Sequence, residues 1–268
     1  MERKPSVGRK SPYEVLFGAE GLTESRFAAV RDEAANAGVT TLRRDHFANL
    51  NRVRELLVDL VPDLAEPATL DRYLLILHHC YSFWEAGCRH FAFEQSAVRS
   101  VITAPPDLFG WLPRTPHPSL YLELPQNLFW AAVVESEQPE PAEGMFVSLP
   151  GDPAADEADI LLILGIRPDR PGFSVAELAV DLTPARGIAE PDAFASDLPG
   201  ANLAGLCSLQ RPAEVVMLLL RLLWYIDTYP ESVELKPGSP AADHEAGGYA
   251  PAMALDHYRV YAVERSRG

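Results

Sequence analysis

Residues 212–229 read Pro-Ala-Glu-Val-Val-Met-Leu-Leu-Leu-Arg-Leu-Leu-Trp-Tyr-Ile-Asp-Thr-Tyr. Pro212 suits the first turn of a helix, where its missing N–H would have had no intrahelical partner. From Val215 to Ile226 the residues are apolar nearly all round, interrupted only by Arg221. A helix of that kind is normally buried. The run is too short to span a bilayer. It therefore needs a broad apolar surface to lie against, and the preceding sequence offers one in a series of strands.

Leu120 to Leu124 alternates as a strand and Pro125 stops it, while Leu128 to Val134 is apolar and fits a strand or a helix. Met145 to Leu149, Ile160 to Ile166 and Ala176 to Leu182 read as strands, and Tyr258 to Val263 as a last one. Glu143-Gly144, Pro150-Gly151-Asp152 and Pro171-Gly172 mark the turns. This hairpin-like spacing predicts a largely antiparallel sheet. Residues 183–210 and 236–251 read as loops.

Upstream of the proline-rich connector at 111–119 the pattern is helical. Thr23 to Ala37 has a cap in Thr23 and a stop in Gly38. Arg43 to Val61 is closed by Pro62. Thr69 to Thr103 carries Leu70, Leu74, Leu77, Tyr81, Trp84, Cys88, Phe91 and Val98 mostly at steps of three or four, with Gly87 as a possible divide. The fold class is α+β, with an N-terminal helical bundle packed against a mainly antiparallel C-terminal sheet and one buried helix. The expected divisions are a flexible basic arm at 1–12, a helical subdomain at 13–112 and an α+β sheet subdomain at 113–268.

Of 268 residues, 47% are apolar and 23% charged, enough to bury a core. The net charge of −15 makes a general affinity for nucleic-acid backbones or an anionic membrane unfavourable, and it favours a basic protein partner. From Glu135 to Asp197 there are fourteen acids against Arg167, Arg170 and Arg186, whereas the first 54 residues hold ten bases and seven acids. Three cysteines, Cys80, Cys88 and Cys207, do not make a disulfide framework. No secretory signal is visible, so the expected compartment is the cytoplasm.

Motifs for chemistry are missing. His78, His79, Cys80, Cys88 and His90 are metal-capable, but no CxxC or HxxxH pair occurs, and on one helix Cys80 and Cys88 would lie two turns apart. No metal and no cofactor are expected. There is no GxSxG elbow, GxxxxGK[ST] or GxGxxG. Asp156, Glu157 and Asp159, Glu190 and Asp192, and the triplet Asp243-His244-Glu245 sit among Pro, Ala and Gly and read as solvated loops. A Cys207–His244 pair has nothing in its spacing to support it. No catalytic residues are assigned.

The order of Pro118-Ser-Leu-Tyr-Leu-Glu-Leu124, the strand start Glu-Gly-Met-Phe-Val at 143–147, the buried strand at 159–166 and Leu-Leu-Leu-Arg-Leu-Leu-Trp-Tyr-Ile at 218–226 resembles a large, widely distributed family that includes a type V-A anti-CRISPR protein. The resemblance covers about residues 65–235. It implies an α+β protein that recognises a segment of another polypeptide; the best-known member inhibits an RNA-guided nuclease by binding its N-terminal peptide. The basic, Trp/His/Arg-rich C-terminal tail that goes with the pattern has no counterpart after Tyr261, so no contact with RNA is carried over.

The function expected is a protein- or peptide-binding module, with a mobile-element-associated regulator or inhibitor as one form of it. The partner is another protein, a basic peptide segment being the candidate. The binding residues are Tyr121, Glu123, Phe129, Trp130, Phe146, Trp224 and Tyr225, since aromatics supply contact area and acids pair with basic groups. The alternatives are an enzyme with a spatially assembled site using His79, His90, His117 or His244, and a subunit of a larger assembly.

Overall fold

The computed structural model describes residues 24–39, 42–60, 67–106, 108, 111, 117–132, 139–148, 157–164, 174–181, 210–236 and 256–262. The basic arm at 1–12, most of the acidic segment between 135 and 197, Cys207 and the Asp243-His244-Glu245 triplet lie outside the described residues.

The helical region begins with α1 (Glu24–Asn36), α2 (Arg44–Asn49), α3 (Asn51–Leu60) and α4 (Pro67–Glu85). Gly38 ends α1 as read from the sequence. With φ +73° it lets Gly38 N–H donate to Ala35 O and Val39 N–H to Ala34 O, the paired bonds that close a helix end. Arg43 to Val61 is not one helix, because Leu50 is extended between α2 and α3. Its second half is capped from a distance: the Glu33 carboxylate accepts the backbone N–H groups of Asn51 and Arg52.

The stretch 69–103 departs from its helical reading. Gly87 (φ +87°) and Cys88 (φ +54°) stop α4 with the same two-bond closure, Gly87 N–H to Trp84 O and Cys88 N–H to Phe83 O. The chain then forms β1 (Arg89–Phe93) before α5 (Gln95–Thr103). Arg-His-Phe-Ala-Phe is too short for its period to distinguish strand from helix, and tertiary pairing decided it.

The remaining elements are β2 (Ser119–Glu123), β3 (Trp130–Ala131), β4 (Glu140–Ser148), β5 (Glu157–Leu164), β6 (Ser174–Asp181), α6 (Pro212–Thr228), a 3-10 turn (Pro230–Ser232), β7 (Val233–Lys236) and β8 (Asp256–Val260). The sheet order is β6-β5-β4-β2-β1-β8-β7, with β3 paired to β4. It is a mixed sheet. β4, β5 and β6 form the antiparallel meander expected from the turn spacing, but β1 is parallel to both neighbours, β2 and β8. The crossover through α5 is what allows β1 and β2 to run parallel. A strand from within residues 13–112 thus occupies the middle of the sheet.

Two apolar clusters cover the two faces. On one, Phe91, Phe93, Leu120, Leu122, Met145, Val147, Ile160 and Leu162 meet α5 and α6. On the other, Tyr121, Phe146, Leu161, Ile163 and Val175 meet the helices α1–α4. The alternation of side chains along each strand supplies both faces at once. The protein is accordingly a mixed three-layer α/β structure: helices, sheet, helices.

Within α6, Val215, Val216, Leu218–Leu220, Leu222, Leu223, Tyr225 and Ile226 are buried, as the opening stretch predicts. Its outer stripe is narrow and runs through Glu214, Arg221, Trp224 and Thr228. Among the described residues no helix is long and apolar enough to cross a membrane.

Candidate functional site

The seven residues expected to bind do not share one surface. Tyr121 and Phe146 are buried between the sheet and α4, with ring centroids 4.7 Å apart and Phe83 of α4 at 5.5 Å from Phe146. Gly144 makes room for the Tyr121 ring: a Cβ there would stand 2.3 Å from its hydroxyl oxygen. Their rings build the core under α4. Glu123, expected to meet a basic partner, is 2.8 Å from Nε2 of buried His90. Phe129 is half-buried and Trp130 is 48% exposed, both by β3, whose next residue Ala132 accepts from Gln210 N–H at the start of α6. Trp224 and Tyr225 lie near the other end of α6. With 17 residues that helix is about 25 Å long, which separates the two groups.

The histidines are dispersed as well. His78 donates its Nε2–H to Leu42 O at 3.1 Å, and burial lowers its pKa. His79 is buried beside Phe146 and lowered further, first by burial and then by His78 and Arg44. His90 pairs with Glu123 on that same side of the sheet. His117 sits on the opposite side by Phe91 and Tyr258, lowered by burial and by the cation of Arg89. His244 is outside the described residues. Cys80 and Cys88 are both buried thiols, and burial raises that of Cys80. Among the described residues no group of three or more His, Cys, Asp or Glu could hold a metal ion.

Partly exposed aromatics gather with acids at the C-terminal end of α6. Trp224 and Tyr229 meet edge to face, with centroids 5.7 Å apart and planes at 84°. Tyr229 packs on Tyr225 at 5.0 Å. The Tyr225 hydroxyl donates to Tyr261 O and the Tyr261 hydroxyl to Glu231 O, which ties the helix end to β8 and the 3-10 turn. Trp111, from the proline-rich connector, donates its indole N–H to the Asp227 carboxylate at 2.9 Å.

The electrostatics of this end are one-sided. A helix C-terminus carries about half a negative charge, which cations in the last turn ordinarily offset. The last turn of α6 holds no basic residue and instead holds Asp227, with Glu231 in the 3-10 turn that follows; both are exposed. Sequence reading found Trp224 and Tyr225 here but missed Trp111, Asp227 and Tyr229. Only the acid at the end of an apolar helix could have signalled them, since Trp111 arrives from 116 residues away.

A chain with this three-layer arrangement belongs to the broad class of mixed α/β proteins. No protein-family model matches it, and no curated protein matches its sequence. Among solved structures it is similar to the crystal structure of AcrVA2, a type V-A anti-CRISPR protein, at 11% identity over 92% of this chain and 81% of that one, with a TM-score of 0.44. The likeness is one of overall pattern.

Proposed function

We propose that this protein is a protein-binding module that docks a basic segment of its partner on the aromatic and acidic end of α6. The observation that carries the reading is the combination found there: half-buried Trp224, Tyr229 and Trp111 beside exposed Asp227 and Glu231, at a helix end with no cation of its own. Aromatic residues give large contact area at low entropic cost, and uncompensated negative charge selects basic partners. The excess of acids over bases in the whole chain adds long-range attraction to such a partner. A regulator or inhibitor carried by a mobile element is the form of this reading to which the sequence resemblance leads.

The test is affinity purification of the full chain from its native host, beside the charge-reversed variant Asp227→Lys/Glu231→Lys. A single stoichiometric partner, weakened by salt and lost with the variant, is the expected result. A partner retained equally by both proteins would move the docking surface elsewhere. Recovery of no stoichiometric partner would remove the binding-module reading.

A further inference from the structure

We propose that the right-angled corner formed by Trp224 and Tyr229, with Asp227 beside it, seats one alkylammonium group: a lysine side chain of the docked partner, read by the ring faces as well as by the carboxylate. The inference rests on the docking reading above and specifies what is recognised.

Three observations lead to it. Trp224 occupies the outer stripe of α6, so its indole is half-buried, whereas its neighbour Tyr225 is buried and held by Tyr261. Tyr229 leaves the helix at once, with φ −123° and ψ 65°, and this turn sets its ring at 84° to the indole. Trp224 and Tyr229 are both partly exposed, and aromatic ring faces attract ammonium groups, including quaternary ones.

The second observation is the misplaced charge. Asp227 lies where the helix dipole disfavours an anion, and it forms no salt bridge among the described residues. Its carboxylate accepts instead from the neutral indole of Trp111. A like-signed charge at a helix end is unfavourable, and a bound cation would relieve it. Local rules broken in this way concentrate at functional sites.

The third is the framing. Tyr225, Tyr261 and Glu231 fix the turn after α6 through two hydrogen bonds, at 3.0 and 2.7 Å. Trp111 holds the Asp227 carboxylate through its indole N–H. The walls are thus held by the core rather than by loose surface side chains, which limits the ordering cost of binding.

The test uses the full chain and three octapeptides of alternating glycine with lysine, trimethyl-lysine or norleucine. Tryptophan indole N–H signals are followed by NMR, and the Trp224 signal is assigned from Trp224→Phe. The expected result is a saturable shift of the Trp224 indole with the lysine and the trimethyl-lysine peptides, and binding about 2- to 30-fold weaker with norleucine. Asp227→Asn, which keeps the acceptor for Trp111, is expected to weaken both cationic peptides without unfolding the chain. Equal binding of norleucine would overturn the inference and leave an apolar docking site. Binding of lysine but not of trimethyl-lysine would overturn the role of the rings. If no peptide perturbs Trp224 at millimolar concentration, both the corner and the docking surface at this helix end are refuted.

Discussion

Gly144 shows how one residue can be fixed by its neighbours. It lies on β4 opposite Glu123, beside an irregularity in the ladder at Ala142/Gly144. An added Cβ would meet the Tyr121 hydroxyl at 2.3 Å and the Leu122 carbonyl oxygen at 2.5 Å. The second contact is with backbone in a paired strand, so no rotamer change relieves it. Gly144→Ala is expected to lower stability by about 1–3 kcal/mol, the usual cost of overpacking. The check is the urea midpoint; an unchanged midpoint would mean that β2 and β4 separate more easily than their register implies. The sequence offers Gly144 both as part of a Glu-Gly turn signal and within a strand start at 143–147. It proves to be inside a strand, because the ring that needs its space comes from β2.

At the scale of elements, α4 carries two histidines into the layer that joins helices to sheet. Burial lowers the pKa of both His78 and His79, with Arg44 lowering them further. The sign follows from linkage. The unfolded chain takes up protons near the ordinary histidine value, about 6.5, whereas the folded chain resists them to lower pH. Stability is therefore complete above that value and falls as pH drops below it. Melting temperature is expected to decrease between pH 7 and 5, and His79→Leu to flatten that decrease. An equally steep pH dependence in the variant would assign the effect to other groups. The metal-like look of His78, His79, Cys80 and Cys88 has the same origin: these are core-facing positions of α4 and its closing turn, which the sequence shows side by side and the fold distributes between Leu42, Phe146 and the helical layer.

For the whole molecule, the question is what holds the helical layer on the sheet. Arg44 of α2 forms an ion pair with Glu177 of β6, but both side chains are partly exposed. Pairs of that kind contribute about 0.2–1 kcal/mol. Phe83, in contrast, is buried against Phe146 across the layer boundary. Phe83→Ala is expected to cost about 3–5 kcal/mol, and a double-mutant cycle on Arg44 and Glu177 to return under about 1 kcal/mol. A cycle larger than the Phe83 effect would show that charge, not apolar burial, joins the layers.

The sequence by itself determined what depends on local pattern: the buried helix at 212–228, the meander of β4, β5 and β6, the Gly38 stop, and the helical character of the N-terminal third. These follow from periodicity, proline and glycine, which act within a few residues. Only the tertiary structure decided that residues 89–93 form a central parallel strand, since five residues of ambiguous period take their conformation from β2 and β8. The same holds for the candidate site. Tyr121 and Phe146 looked available for binding because aromatic type does not reveal which face of a strand is covered. Trp111, Asp227 and Tyr229 went unnoticed because their meeting depends on a hydrogen bond across 116 residues of chain. Long-range contacts are settled by how apolar faces close upon one another, and that information is carried by no single segment.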